Sequence, residues 1–436
     1  MIKQTSLALA FFASMSAAIA QPAPPAAPPA EPPAPPATDP APPPTTPPPP
    51  TTTEPTPPPP GEPNPPPPPT PPAAPTLSGK YDKGFWIGTD DKAFTLRIGF
   101  KNHLRFESTR ATEEGSEFQN HFLIVRSRLQ LDGNAFATTN RYKLELALGD
   151  AGSFGFIRDL YVERRVRPAP VWLRLGQWKE PFNRQELVSD FAGEFNERAI
   201  TAQFAKGGRS MGFAIHNDYE KSPEGLEWVV GIFNTFAGGA DKPDVGTTCT
   251  ADAATGKITC KTGSPTTVPL DFDPALVARV GWNSGDVKGY SEGDLEGGPL
   301  RWGVGLAYKI DFANFGNSDN ISHGVEADLM VKVNRLGFEG GVYGMKIAPG
   351  DFELGAFVQP GYFVVPKKVQ VAGRFAFVPV GDRTSLEIRA AFNWLWEGHA
   401  WKWMTDVGML QLTGENAMGV KDDPDFQIRS MWQLAL

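Results

Sequence analysis

Cysteine is nearly absent: Cys249 and Cys260 are the only two in 436 residues. Neither a histidine nor a second cysteine pair stands beside them, so a structural zinc site of ordinary ligand spacing is excluded. Histidine is scarce as well, and His103, His121, His216, His323 and His399 show no ligand spacing. HExxH, GxSxG and phosphate-loop patterns are missing, which removes the usual signatures of hydrolases and nucleotide enzymes. The adjacent carboxylates Asp422 and Asp423 fall in a connecting segment, where solvated charge is the ordinary explanation. The chain therefore reads as a non-enzyme with no cofactor, no metal and no nucleic-acid partner. Long apolar runs are missing too. No stretch of 18 apolar residues follows the leader, and no long stripe has the 3.6-residue period, which excludes membrane-spanning helices and helical bundles.

What is present begins with a leader. Residues 1–20 carry Lys3, an apolar run from about Leu7 and small residues ending Ala18-Ile19-Ala20. This is the build of a signal peptide cut after Ala20, so export is expected. Residues 21–76 then hold most of the 45 prolines. Such a segment can neither form a hydrogen-bonded ladder nor bury a core. It is expected to be a disordered, extended spacer reaching about 150 Å if stiff, either a tether that touches the cell wall or a passive leader. In an oxidising compartment Cys249 and Cys260, ten residues apart, are placed to close a disulfide loop worth roughly 3 kcal/mol, with two free thiols as the alternative.

From residue 77 to 436 the pattern changes to alternation. In "AFTLRIGFKNHLRF" (93–106), Phe94, Leu96, Ile98, Phe100, Leu104 and Phe106 share one parity, opposed by Arg97, Lys101, His103 and Arg105. In "FLIVRSRLQL", Leu123, Val125, Leu129 and Leu131 oppose Arg126, Arg128 and Gln130. About sixteen such segments follow one another: 93–107, 121–132, 141–149, 157–165, 171–179, 209–216, 225–234, 275–283, 300–311, 323–334, 335–346, 352–364, 367–379, 384–396, 399–411 and 425–436. Short links ("RPAP" at 167–170, Asn334-Arg335, Glu397-Gly398) alternate with long ones, the 284–299 link being long on the short side. A water-soluble sandwich would also alternate, but it needs fewer strands. It would also not place Trp394, Trp396, Trp401, Trp403 and Trp432 near segment ends, as an interfacial girdle does. The expectation is an all-β, transmembrane antiparallel barrel of about 16 strands, preceded by a disordered Pro-rich segment. Its oily face meets lipid and its polar face lines water.

The segment "RLGQWKEPFNRQELVSDFAGEFNERAITAQFAKGGRSMGFAIHND" (174–218) resembles the most recognisable block of the phosphate-selective porin family of Gram-negative outer membranes. The pattern R-x-G-Q-x-K-E-P-F, then E-R, then G-R-x-x-G, carries the resemblance. "GIFNTFAGG" and "FVQPGYFVV" are similar to that family's later strands. The resemblance covers roughly 80–436. It implies a homotrimeric sixteen-stranded porin in the outer membrane, with the loop after the fifth strand (180–208) folded into the lumen as a constriction and carrying Arg184, Arg198 and Lys206.

Read by parity, the lumen is modestly basic although the chain carries a net charge of −8. Arg97, Lys101, Arg105, Arg126, Arg128, Arg141 and Lys143 fall on one wall, with Arg174 and Arg374 further round. Ladders of Arg and Lys favour anions, and guanidinium suits phosphate oxygens. The plainer reading is that these cations pair with lumen acids and keep the wall wet. The function expected is a water-filled channel for small solutes, anion-preferring and phosphate-selective, with lipid around it and peptidoglycan as the wall partner of a periplasmic 21–76. Two other classes stay open: a plugged structural barrel anchoring the proline tether, and a secreted soluble all-β binding protein.

Overall fold

The computed structural model describes residues 76–110, 117–149, 156–205, 208–234, 247–251, 258–262, 274–287, 290–312, 321–347, 350–414 and 423–436. The signal segment and nearly all of the proline spacer lie outside the described residues.

The chain runs β1 (Leu77–Tyr81), β2 (Phe85–Thr89), β3 (Thr95–Arg110), β4 (Gln119–Ala135), β5 (Ala137–Gly149), β6 (Phe156–Val166) and β7 (Val171–Lys179). Two short helices follow, α1 (Arg184–Leu187) and α2 (Ile200–Phe204), then β8 (Arg209–His216), β9 (Gly225–Asn234), β10 (Thr247–Ala251) and β11 (Ile258–Thr262). The remainder is β12 (Pro274–Ser284), β13 (Arg301–Phe312), β14 (Ile321–Val333), β15 (Leu336–Lys346), β16 (Phe352–Val365), β17 (Val369–Val380), β18 (Arg383–Glu397), β19 (Trp401–Leu412) and β20 (Asp425–Ala435).

Sixteen of these strands, β3–β9 and β12–β20, each pair antiparallel with the next, and the circle closes through β9–β12 and β20–β3. Closure satisfies every ladder group internally, which is what a strand needs to cross lipid. Each of the sixteen segments expected from alternation overlaps one barrel strand. Among the described residues no helix is long and apolar enough to cross a membrane. The hairpin β1–β2 extends the sheet beside the start of β3, and β10–β11 forms a separate two-stranded hairpin.

Alternation gives the wall two unlike faces. On β18, Ile388, Phe392 and Trp394 point out to solvent or lipid, while Glu387, Arg389 and Asn393 are buried inside. On β13, Val304, Leu306 and Tyr308 face out against Arg301 and Lys309 within. Trp394, Trp396, Trp401 and Trp432 gather on the outer surface of β18–β20, with Trp396 stacked on Trp432 at 5.1 Å. Rings with a polar N–H and an apolar body sit well at such a boundary.

One parity assignment is corrected. A register shift beside His103 and Leu104 pairs Leu104 with Ile124 and Phe106 with Phe122. The bulge inverts the parity of β4 at that point. Phe122, 87% exposed, and Ile124 therefore face out, whereas Val125 is buried and Leu123 does not share the outer face.

The two ends of the barrel differ. Tight links close β14–β15, β16–β17 and β18–β19 at the turn end. At Asn334-Arg335 both residues take positive φ (46° and 78°), the geometry a two-residue hairpin requires. The ends of β3, β7, β9 and β19 that lead into the connections at 111–118, 180–208, 235–273 and 413–424 lie at the other end. The 284–299 link is at the turn end despite its length, and its described part folds inward rather than outward.

Candidate functional site: the lumen and its constriction

The segment after β7 enters the barrel. Asn183 starts it by accepting the Glu186 N–H on its side chain, which caps α1. The segment is then fastened to the far wall, strand after strand. Glu180 pairs with Lys309 and accepts the Ser210 hydroxyl. Arg184 donates to Asp328 at 2.9 Å, while its backbone N–H reaches Glu326 at 2.7 Å. Further along, Arg374 donates to the Glu197 carbonyl, Asn393 to the Glu194 carbonyl and Lys402 to the Gly193 carbonyl. The backbone N–H groups of Asn196 and Ile200 reach Asp406 and Glu387, each at 2.9 Å. Polar lumen residues of β14 and β17–β19 thus take up the segment's backbone groups. That answers how an irregular stretch can be buried at membrane depth.

Behind the segment the lumen is filled. Arg279 donates to Glu326 and to Asp328 at 2.6 Å, and its side chain is 0% exposed. Arg374 packs on the Phe195 ring and donates to Gln359. Arg184 and Arg374 therefore lie on the sealed side of the segment.

The opposite face of the segment looks toward β3–β5. There the structure brings together most of the basic wall read from the sequence, and each arginine has a carboxylate. Arg97 pairs with Asp132 at 2.8 Å. Arg105 pairs with Glu107 and Glu197, both at 2.6 Å. Arg126 reaches Glu197 at 2.5 Å and Asp190, and Arg128 reaches Glu145 and Asp190. Arg198, from the segment itself, pairs with Asp190 and Glu186. Arg141 pairs with Asp218 at 3.0 Å, Lys143 with Asp159 at 2.6 Å, and Arg174 with Glu163 and Glu220. Two lysines differ. Lys101 holds the Gln130 amide oxygen at 2.7 Å and lies over the Phe191 ring, and Lys179 holds the carbonyls of Glu186 and Val188. Neither has a carboxylate within ion-pair distance among the described residues. Lys206 lies outside the described residues. The backbone register sets Cys249 opposite Cys260 in β10–β11, and their side chains lie outside what is described.

Part of this strip keeps contact with water, although Arg128 and Arg174 in it are 2% exposed. The side chains of Arg97, Arg141 and Lys143 are 24–28% exposed, against 0% for Lys309 across the barrel. Burial by itself would raise the Asp190 carboxyl, but Arg198, Arg126, Lys179 and Arg128 overcome it and hold that acid well below the carboxylate range. Glu197 is half-buried, and Arg126 and Arg105 bring it down to about 2. Both therefore stay charged at neutral pH.

Sequence reasoning singled out the cations of the inward segment and passed over its acids. Glu186, Asp190 and Glu197 stand in the same quoted stretch, and their density there was the available signal. It also did not foresee that 217–224 and 290–298 fold inward from the turn end. Tyr219 is fully buried, Glu220 pairs with Arg174, and Tyr290 donates to Glu227 at 2.7 Å.

A closed sixteen-stranded barrel with an apolar outer belt, a charged lumen and an inward loop defines a channel-forming outer-membrane β-barrel of the porin class, not an enzyme. Residues 96–276, from β3 to the start of β12, match the family model "Phosphate-selective porin O and P". Among solved structures, OprB of Pseudomonas putida is similar at 9% identity and a TM-score of 0.50, covering 78% of this chain and 94% of that one. The anion-selective porin from Comamonas acidovorans aligns at 12% identity and a TM-score of 0.48, over 78% and 100% of the two chains. OmpF of Salmonella typhi aligns at 9% identity and 0.48, over 82% and 100%. At such identities the likeness is one of fold. No curated protein sequence matches the chain.

Proposed function

We propose that this channel prefers small anions and that phosphate is among the solutes it holds. The observation that carries the reading is Lys101. It stands on the water-contacting wall held by the Gln130 amide and the Phe191 ring, with no carboxylate within ion-pair distance among the described residues, between Arg97 and Arg105 on the same face of β3. Arginines matched by acids contribute little net field, whereas an ammonium without a counter-charge attracts an anion in transit. The guanidinium groups around Asp190 supply planar donors suited to phosphate oxygens once an anion arrives. The family match is consistent with this reading.

The same reading places the turn end and residues 21–76 in the periplasm, with peptidoglycan in reach. It also makes the assembly a homotrimer, its contact surface being the outer face of β3, β4 and β20 around Phe122, Leu104 and Trp432, which are all exposed in the single chain.

Planar-bilayer recording under a KCl gradient tests it. The expected zero-current potential shows chloride preference, phosphate reduces the chloride current, and Lys101→Gln weakens both effects. Cation preference in the wild type, or a Lys101→Gln channel with unchanged selectivity, would overturn the assignment.

A further inference from the structure

Two segments enter this lumen from opposite ends and meet. The first is the 180–208 segment from the loop end, and the second is the 290–298 part of the β12–β13 link, from the turn end. At the meeting point the Glu194 N–H donates to Glu292 Oε2 at 2.6 Å, and the Glu292 N–H reaches the Ala192 carbonyl at 3.3 Å. Gln359 on β16 donates through one nitrogen to Glu194 Oε2 at 2.9 Å and to Glu292 Oε2 at 2.8 Å. Gln370 on β17 donates to the other Glu194 oxygen. The wall is shaped for this contact. A Cβ at Gly337 would stand 2.6 Å from the Gly293 Cα, and one at Gly361 would overlap the Glu194 carboxylate. Bare glycines there let both segments approach the strands. Lys332 holds Ser291 by its carbonyl and hydroxyl, and Asp294 accepts from Arg301 and from the Arg335 N–H.

The carboxylates of Glu194 and Glu292 are thus brought side by side, 2% and 5% exposed, and neither pairs with a cation within 4 Å among the described residues. The charged groups facing them are Glu339 from β15, Lys332 from β14, Arg374 from β17 and Lys402 from β19, with His399 of the β18–β19 turn beside Lys402 and Arg184 of α1 beside Glu339.

We propose that the Glu194–Gln359–Glu292 junction is a proton-operated latch, closed while Glu194 keeps its proton and released when Glu194 ionises beside Glu292. Burial, and then the neighbouring Glu292 carboxylate, push the Glu194 carboxyl up to about 8, so near neutral pH it keeps its proton in the joined state. The sign follows from linkage. The joined form binds more protons than the separated one, so the junction is strongest at acid pH. It weakens as pH rises from the ordinary carboxylate value toward about 8, by up to about tenfold per pH unit. Released, the two segments part at Glu194 and Glu292 and widen the sealed half of the lumen, while Ser291 and Asp294 keep the 290–298 segment on the wall. The latch rests on the barrel being a channel and not on its ion preference.

The test is single-channel conductance of the full chain in planar bilayers from pH 5 to pH 9. Wild-type conductance is expected to rise at least about twofold across that range. Glu292→Gln, which keeps an acceptor oxygen and removes the second charge, is expected to stay at the low level throughout. Gly361→Ala, which displaces Glu194, is expected to sit at the high level at every pH. Lys101→Gln should retain the wild-type pH response, separating the latch from anion preference. A flat wild-type profile, or an unchanged response in Glu292→Gln, which would assign titration to Lys332, Lys402 or His399, overturns the latch.

Discussion

The two halves of the lumen carry similar residues and use them differently. On the β12–β19 side, Arg279, Arg374, Arg389 and Lys309 are buried with Glu326, Asp328, Glu387, Asp406 and Glu180, and the inward segment lies over them. On the β3–β5 side, Arg97, Lys101, Arg141 and Lys143 keep water contact and the segment presents its own acids to the wall. Charge inside a barrel is therefore no measure of pore lining. What decides is whether a second piece of chain takes up the hydrogen bonds the wall offers. Where it does, charge becomes structural; where it does not, charge faces the passing solute.

The largest expected effect breaks this comparison in stability. Arg279→Met leaves Glu326 and Asp328 facing one another with only Arg184 to compensate, so the barrel should lose about 3–5 kcal/mol. Arg97→Met, on the open side, should cost about 1 kcal/mol or less, because its partner Asp132 can turn to water. Heat-induced mobility shifts of the folded barrel would compare them, and equal losses would erase the distinction.

A smaller effect is expected from acid. Glu197 is held at about 2 against an ordinary 4.5, a lowered value, so its contribution is fully present above 4.5 and is lost as pH falls toward 2. Allowing for its partial exposure, loosening of the inward segment should amount to about 2 kcal/mol. Conductance noise rising below pH 4 in the wild type, and already present at pH 7 in Glu197→Gln, would report it. The smallest effect is expected from Asp190→Asn. Removing the carboxylate shared by Arg126, Arg128 and Arg198 should raise chloride preference about twofold while leaving the barrel folded. Unchanged reversal potentials would show that these guanidinium groups do not face the permeating ion.

Strands were legible in the sequence because lipid outside and water inside impose a period of two that no loop interrupts for long. Each of the sixteen segments is a barrel strand, and the ambiguous 284–299 link is resolved by its inward fold. The parity failure at Leu123 and Val125 has a local cause, a bulge, which adds a residue without altering composition. The lumen was less legible. Parity tells which side chains point inward but not which of them another segment will cover. Arg374 and Arg97 carry the same side chain on the same kind of face, yet only Arg374 lies beneath the inward segment. Nor could strand periodicity report Asp190 or Glu292, which sit in irregular chain and find their partners across the barrel.

The β3–β5 wall is the expected path of conduction, with the opposite half sealed at neutral pH. Thiol labelling of open channels tests it most directly, comparing Lys143→Cys with Ala307→Cys, the latter on a lumen-facing position 1% exposed. A bulky hydrophilic thiol reagent is expected to cut the current through Lys143→Cys and to leave Ala307→Cys and the wild type, with its own Cys249 and Cys260, unchanged. Block through Ala307→Cys with none through Lys143→Cys would contradict it.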